Sequence, residues 1–173
     1  MRVNGLSAER LYAVAMTPDG LMSQTDGGAP GFHLLGLGGI PLHVARLPAA
    51  GRPGNPRALF ISGCFANIRV NARWVGALTA LFDVILCELP GHGESAPVEE
   101  VSLDSFAAVF ARLIDHHIPS CWPLTLIGES LGGLVALRLA RLRANRIVSI
   151  VLLDPPLLLT RQPVRSLLGR VWR

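Results

Sequence analysis

At 173 residues, half of them apolar and only 16% charged, the chain has one domain's length and enough apolar material for a sizeable core. That composition excludes intrinsic disorder, and the richest apolar stretch, Ile147 to Leu159, is broken by Asp154, Pro155 and Pro156 before it could span a membrane. The formal charge of +4 is uneven: residues 138–173 hold eight arginines against Asp154 alone, net +7, and the remainder is net −3.

Residues 1–31 show no strong periodicity and read as a poorly defined lead-in closing on the loop-like GGAPG. Phe32–Leu37, the pair Gly38-Gly39, and Ile40–Leu47 predict a β-hairpin whose turn glycines supply positive φ. Pro41 weakens the second strand or places it near a sheet edge. Residues 48–57 form a loop by their proline and glycine content. Strands and helices then alternate. ALFIS (58–62) is a short apolar strand, and Val70, Trp74, Ala77/Leu78 and Leu81 have helical spacing within residues 67–82. DVILCE (83–88) is a buried-type strand. Ser102 can cap a helix with apolar face Phe106, Val109/Phe110, Leu113 and Ile114, which Pro119 ends. LTLI (124–127) is a strand, residues 131–143 an apolar helix, and IVSIVLL (147–153) the last strand. Residues 158–173 read as a basic amphipathic tail, a candidate start of a further cap. Such alternation implies βαβ crossovers and a mostly parallel sheet, hence an α/β fold. In open sheets of this kind, reactive groups gather at the carboxyl ends of the strands.

All 16 basic residues are arginine, a mark of genomic base composition before chemistry. The basic C-terminal stretch can be read as a nucleic-acid or anionic-surface contact. Solvated helix faces are the simpler reading, and nucleic acid is not the expected partner. Cys64, Cys87 and Cys121 are widely spaced and imply neither a metal site nor a disulfide framework. The N-terminus lacks the uninterrupted apolar core of a signal peptide, so a cytoplasmic location is expected, with no transmembrane segment.

The loop after LTLI reads Gly128-Glu129-Ser130-Leu131-Gly132-Gly133, a G-x-S-x-G sequence between an apolar strand and an apolar helix. A serine on so sharp a strand-to-helix turn takes a strained backbone and lifts its hydroxyl clear of the sheet. A Cβ at Gly128 or Gly132 would crowd that turn. The following helix aims its N-terminal amides at any developing anion. The bland alternative is a glycine-rich turn holding an incidental serine.

With these residues the sequence resembles the α/β-hydrolase superfamily, across about residues 32–157. Gly128–Gly132 is similar to its nucleophile elbow, which makes Ser130 the nucleophile and the Leu131 amide an oxyanion donor. Glu88-Leu89-Pro90-Gly91-His92-Gly93-Glu94-Ser95 resembles the D-x-P-G-x-G-x-S loop after the family's fourth strand, with Glu88 where Asp is usual. Ser62-Gly63-Cys64-Phe65 falls where the family has His-Gly-x, so Cys64 is the candidate second oxyanion amide and Phe65 the fallback. Ser62 in place of His removes a residue that helps hold that loop.

The resemblance also implies a base and an acid downstream of the serine. No histidine follows Ser130. Asp154 is the sole downstream acid: a candidate triad acid, or simply the end of a strand. His92 lies at the correct end of the sheet and is a candidate base, or part of a structural Gly-His-Gly loop. His116 and His117 end a helix, and His33 and His43 sit in the hairpin, away from the elbow. The family's cap, two further strands and their helices have no counterpart here. A fragment, half of a split enzyme and a pseudoenzyme all fit, and the last strand is expected to be an open edge.

The leading expectation is a serine hydrolase acting on an ester or thioester through an acyl-serine, weak as this chain alone and needing no cofactor or metal. One alternative is an acyltransferase on hydroxyacyl carrier-protein thioesters, from the likeness of residues 62–66 to the Asn-Gly-x-x-Ala loop of such enzymes. The other is a non-catalytic interaction module that binds a partner chain, or a second copy, through its last strand.

Overall fold

The computed structural model describes residues 31–50 and 55–156; the expected basic tail and nearly all of the lead-in lie outside these. Among the described residues six strands form one sheet: β1 (Gly31–Leu37), β2 (Ile40–Leu47), β3 (Arg57–Ile61), β4 (Asp83–Cys87), β5 (Leu124–Glu129) and β6 (Ile147–Leu153). Their order is β1-β2-β4-β3-β5-β6. β1, β2 and β4 pair antiparallel, while β4, β3, β5 and β6 are parallel. Gly38 and Gly39, at φ 64° and 86°, make the hairpin turn that only residues tolerant of positive φ can form.

Pro41 does not lie on an edge strand. β2 is interior, but only Val44–Leu47 pair with β4, so Pro41 lies in a length of β2 that pairs, among the described residues, with no strand but β1, while its carbonyl accepts Ala96 N–H from the loop after β4 at 2.8 Å. Its missing N–H therefore breaks no ladder between β2 and β4.

Burial follows the period-two alternation of strands covered on both faces. Leu59 and Ile61, Ile85 and Cys87, and Leu124 and Leu126 join one apolar cluster, which α2 (Leu103–His117) and α3 (Leu131–Leu142) cover. Ala58 and Phe60, Val84 and Leu86, and Ile127 join a second on the opposite face, beneath α1 (Ile68–Val75). There Phe60 is fully buried, edge-on to Trp74 at 5.1 Å.

The helix expected over 67–82 is shorter. Asn67 caps α1 through its side chain, Val70 N–H donating at 2.9 Å. At Gly76 the chain tightens into a 3₁₀ turn over Gly76–Ala80, and the Thr79 hydroxyl donates to the Gly76 carbonyl at 2.7 Å. Glycine propagates an α-helix poorly, and the apolar spacing through Leu78 carries on regardless of helix type.

Ser102 caps α2 as expected, in a reciprocal box with Ser105. Ser102→Ala is expected to cost about 1 kcal/mol, a fall in Tm of about 2–4 °C on thermal unfolding. Several of the C-terminal arginines have defined structural roles. Arg138 and Arg143 on the α3 side pair with Asp104 and Asp115 of α2, and Arg146 donates to the carbonyls of Ile118 and Pro119.

Among the described residues β6 has one neighbour, β5, and Val148 is 68% exposed, with Ile150 and Val151 exposed beside it. No described helix is long and apolar enough to cross a membrane. The three central parallel strands end level, since Ile61 pairs with both Cys87 and Gly128. The loops that follow them emerge side by side.

Candidate active site

Ser130 stands between β5 and α3 at φ 50° and ψ −120°, a region that L-residues rarely occupy. The surroundings enforce it. Ser130 N–H donates to the Leu153 carbonyl of β6 at 2.8 Å, and Gly133 N–H donates to the Ser130 carbonyl at 2.9 Å. A Cβ on Gly128 would come within 2.5 Å of the Gly133 Cα, and one on Gly132 within 2.3 Å of the Ile61 carbonyl oxygen. The turn can therefore close only with glycine at both places. Ser130 makes no side-chain capping bond to α3, whose first residue is the buried Leu131.

The loop after β3 lies directly against this serine. A Cβ on Gly63 would sit 3.0 Å from the Ser130 Cβ. Ser62 is fully buried and its N–H donates to the Cys87 carbonyl at 3.0 Å. Residues that the motifs did not flag hold this loop. The buried Asn71 of α1 donates through Nδ2 to Ser62 Oγ at 2.9 Å and to Glu129 Oε2 at 3.0 Å, and Gly63 N–H donates to the same Glu129 oxygen at 3.3 Å. Cys64 is half-buried against the core, which pushes its thiol above the usual range. Phe65 follows at φ 60° and is 60% exposed.

The loop after β4 folds around Glu88. Its Oε1 accepts Ile68 N–H at 2.9 Å, its Oε2 accepts Glu94 N–H at 2.8 Å, and His43 Nδ1 lies 3.2 Å from Oε2. Burial pushes the Glu88 carboxyl upward, but the His43 bond and the two amides outweigh it and hold it below its ordinary value. Gly93 takes φ 56°, and a Cβ there would overlap the Glu88 carboxylate at 2.3 Å. Ser95 Oγ accepts the His43 N–H at 2.9 Å, tying the loop to β2. His92 is half-buried, its Nδ1 3.1 Å from the Pro90 carbonyl and its ring 6.1 Å from that of Phe65. Donation to that carbonyl puts the proton on Nδ1 and leaves Nε2 as the acceptor. Phe65, His92, Pro97, Val98, Val101 and Phe106 line a largely apolar cleft of about 360 Å³.

The strand order thus brings the loops of Ser130, Gly63–Phe65 and His92 to one end of the sheet. Asp154 follows β6 at that end, exposed and at φ 47°. His43 belongs to that end too, but β4 and β3 separate its strand from β5. His116 and His117 close α2 at the opposite end, before β5 begins; burial, and then His116, lower the pKa of His117.

The family model for the alpha/beta hydrolase fold matches residues 56–172. The chain belongs to that family. It is 32% identical over 127 residues to "Lipase LipV" of Mycobacterium tuberculosis, covering 73% of this chain and 46% of that protein. It is 34% identical over 91 residues to a 2-succinyl-6-hydroxy-2,4-cyclohexadiene-1-carboxylate synthase of Escherichia coli O7:K1, covering 52% and 34%. Among solved structures, a thioesterase domain from the curacin biosynthetic pathway superposes with TM-score 0.57 at 27% identity, covering 75% of this chain and 47% of that one. The chain spans less than half the length of these relatives.

Proposed function

We propose that this chain carries the acyl-serine chemistry of a hydrolase acting on carboxylic esters or thioesters, with Ser130 as nucleophile. The observation that carries the reading is the backbone of Ser130, held at φ 50° between glycines that tolerate no Cβ. Strain maintained by so much surrounding structure marks a working position. The lipase and the thioesterase domain among its relatives support the substrate class.

In this reading Ser130 Oγ attacks the acyl carbonyl carbon while a base takes its proton. The carbonyl π pair moves onto oxygen, and the amides of Leu131 and Cys64 stabilise the resulting oxyanion. Collapse expels the alcohol or thiol, which receives the proton, and leaves the acyl group on Ser130. Water then attacks the acyl-serine by the same route and releases the acid. Phe65 is the fallback oxyanion amide, and Asp154 is the candidate acid partner of the base. His92, with Nε2 as acceptor, is this chain's own candidate for that base.

Fluorophosphonate labelling tests the reading without a guess at the substrate. Labelling of the full chain, absent in Ser130→Ala, is the expected result. A folded chain that takes up no label overturns it. Labelling that persists unchanged in His92→Gln would place the base elsewhere than His92.

A further inference from the structure

We propose that Glu129 is a positioning residue for the oxyanion loop, an inference that rests on the acyl-serine reading of Ser130. Glu129 occupies the first variable place of the G-x-S-x-G sequence, beside the serine. Its side chain reaches across to the loop after β3, where a single oxygen, Oε2, accepts both Gly63 N–H at 3.3 Å and Asn71 Nδ2 at 3.0 Å.

Asn71 is only 1% exposed and its other bonds fix it. It donates to Ser62 Oγ at 2.9 Å, and its Oδ1 accepts Trp74 Nε1–H at 3.3 Å. A chain of hydrogen bonds therefore runs from Trp74 through Asn71 to Ser62 and Glu129, and closes on Gly63. Gly63 has no freedom on its other side, because the space where its Cβ would stand lies 3.0 Å from Ser130 Cβ and 3.1 Å from the Glu129 carbonyl. The loop is gripped between the serine and the carboxylate that precedes it.

Two consequences follow for the chemistry. Donation to Glu129 engages the Gly63 amide, so the loop must meet an oxyanion with the Cys64 or Phe65 amide. A carboxylate beside a developing oxyanion also repels it, unless donors hold its charge. Gly63 and Asn71 are such donors. Because both bonds end on one oxygen, the carbonyl of a glutamine can accept both, whereas alanine offers neither. A misplacement of about 1 Å in such a loop can slow the reaction on the order of 10²-fold.

The test is the fluorophosphonate labelling rate of the full chain in Glu129→Ala and Glu129→Gln, with hydrogen exchange at the Gly63 amide followed by NMR. Glu129→Ala is expected to label about 10- to 100-fold more slowly and to lose Gly63 protection. Glu129→Gln is expected to keep that protection and to label within about threefold of the parent. Labelling of Glu129→Ala at the parental rate overturns the proposal, as does a Glu129→Gln variant as slow as Glu129→Ala. If the parent chain takes up no label, the acyl-serine reading fails instead. Gly63 exchange then still decides the clasp: exchange unchanged in Glu129→Ala overturns it, and faster exchange supports it.

Discussion

Gly132→Ala is expected to destabilise the chain by about 3 kcal/mol, a fall in Tm of about 6–12 °C. The added methyl would stand 2.3 Å from the Ile61 carbonyl oxygen and 2.5 Å from that of Ser62. Neither can give way, because both belong to the backbone at the end of β3, a strand bonded on each side to β4 and β5. Relief must come from moving α3 away from the sheet, which opens the core around Leu134 and Val135. Gly36→Ala is the control. No atom lies within 4 Å of the methyl it would add, so its effect should stay within about 1 kcal/mol. Thermal unfolding of the two variants separates a steric need at the elbow from a general loss of chain flexibility. Equal effects would show that the close approach of Gly132 to β3 is not what the residue is for.

The second large effect concerns Glu88, and its size depends on pH. Glu88→Gln keeps the shape but offers one acceptor where the carboxylate has two. Its amide group must then face either Ile68 N–H or Glu94 N–H, donor against donor. Leaving one such amide unpaired costs about 1–3 kcal/mol near pH 7. The folded carboxyl lies below its ordinary value. The stability it contributes is therefore complete above the unfolded pKa of about 4.3 and is lost as pH falls through the folded pKa. The gap between parent and variant should thus be widest near neutrality and narrow below about pH 4. Urea unfolding across that range measures it. A gap independent of pH would mean that packing, and not the carboxylate's bonds, is what Glu88 contributes.

Much of the fold was legible because the signals are local. Apolar runs such as DVILC and LTLI mark strands covered on both faces, and Gly38-Gly39 marks its turn. The elbow was readable for the same reason, since strand, glycines, serine and helix lie within a few residues of one another. The clasp on the loop after β3 was not. Asn71 is one polar residue on an otherwise ordinary amphipathic helix, and Glu129 fills a position that the motif leaves open. Each acquires its partner only when β3 comes to lie beside β5, across 58 residues of sequence. The departure of Ser62 from the usual histidine was visible, but its complement was not: Asn71 holds the hydroxyl that stands there. Pro41 shows the opposite limit. A residue rule that speaks of edges is satisfied by a strand interior over part of its length, and only the register tells the two apart.

The bond from Ser130 N–H to the Leu153 carbonyl carries a consequence for the order in which the protein is made. Synthesis runs from the N-terminus, so the serine, its glycines and its helix are made before β6. Until Leu153 arrives, the peptide that orients the serine lacks one of the bonds that hold it in its strained shape, and the relaxed turn is available to it. A chain ending before Ile147 would already contain Ser130 and both elbow glycines, yet without the tether from β6.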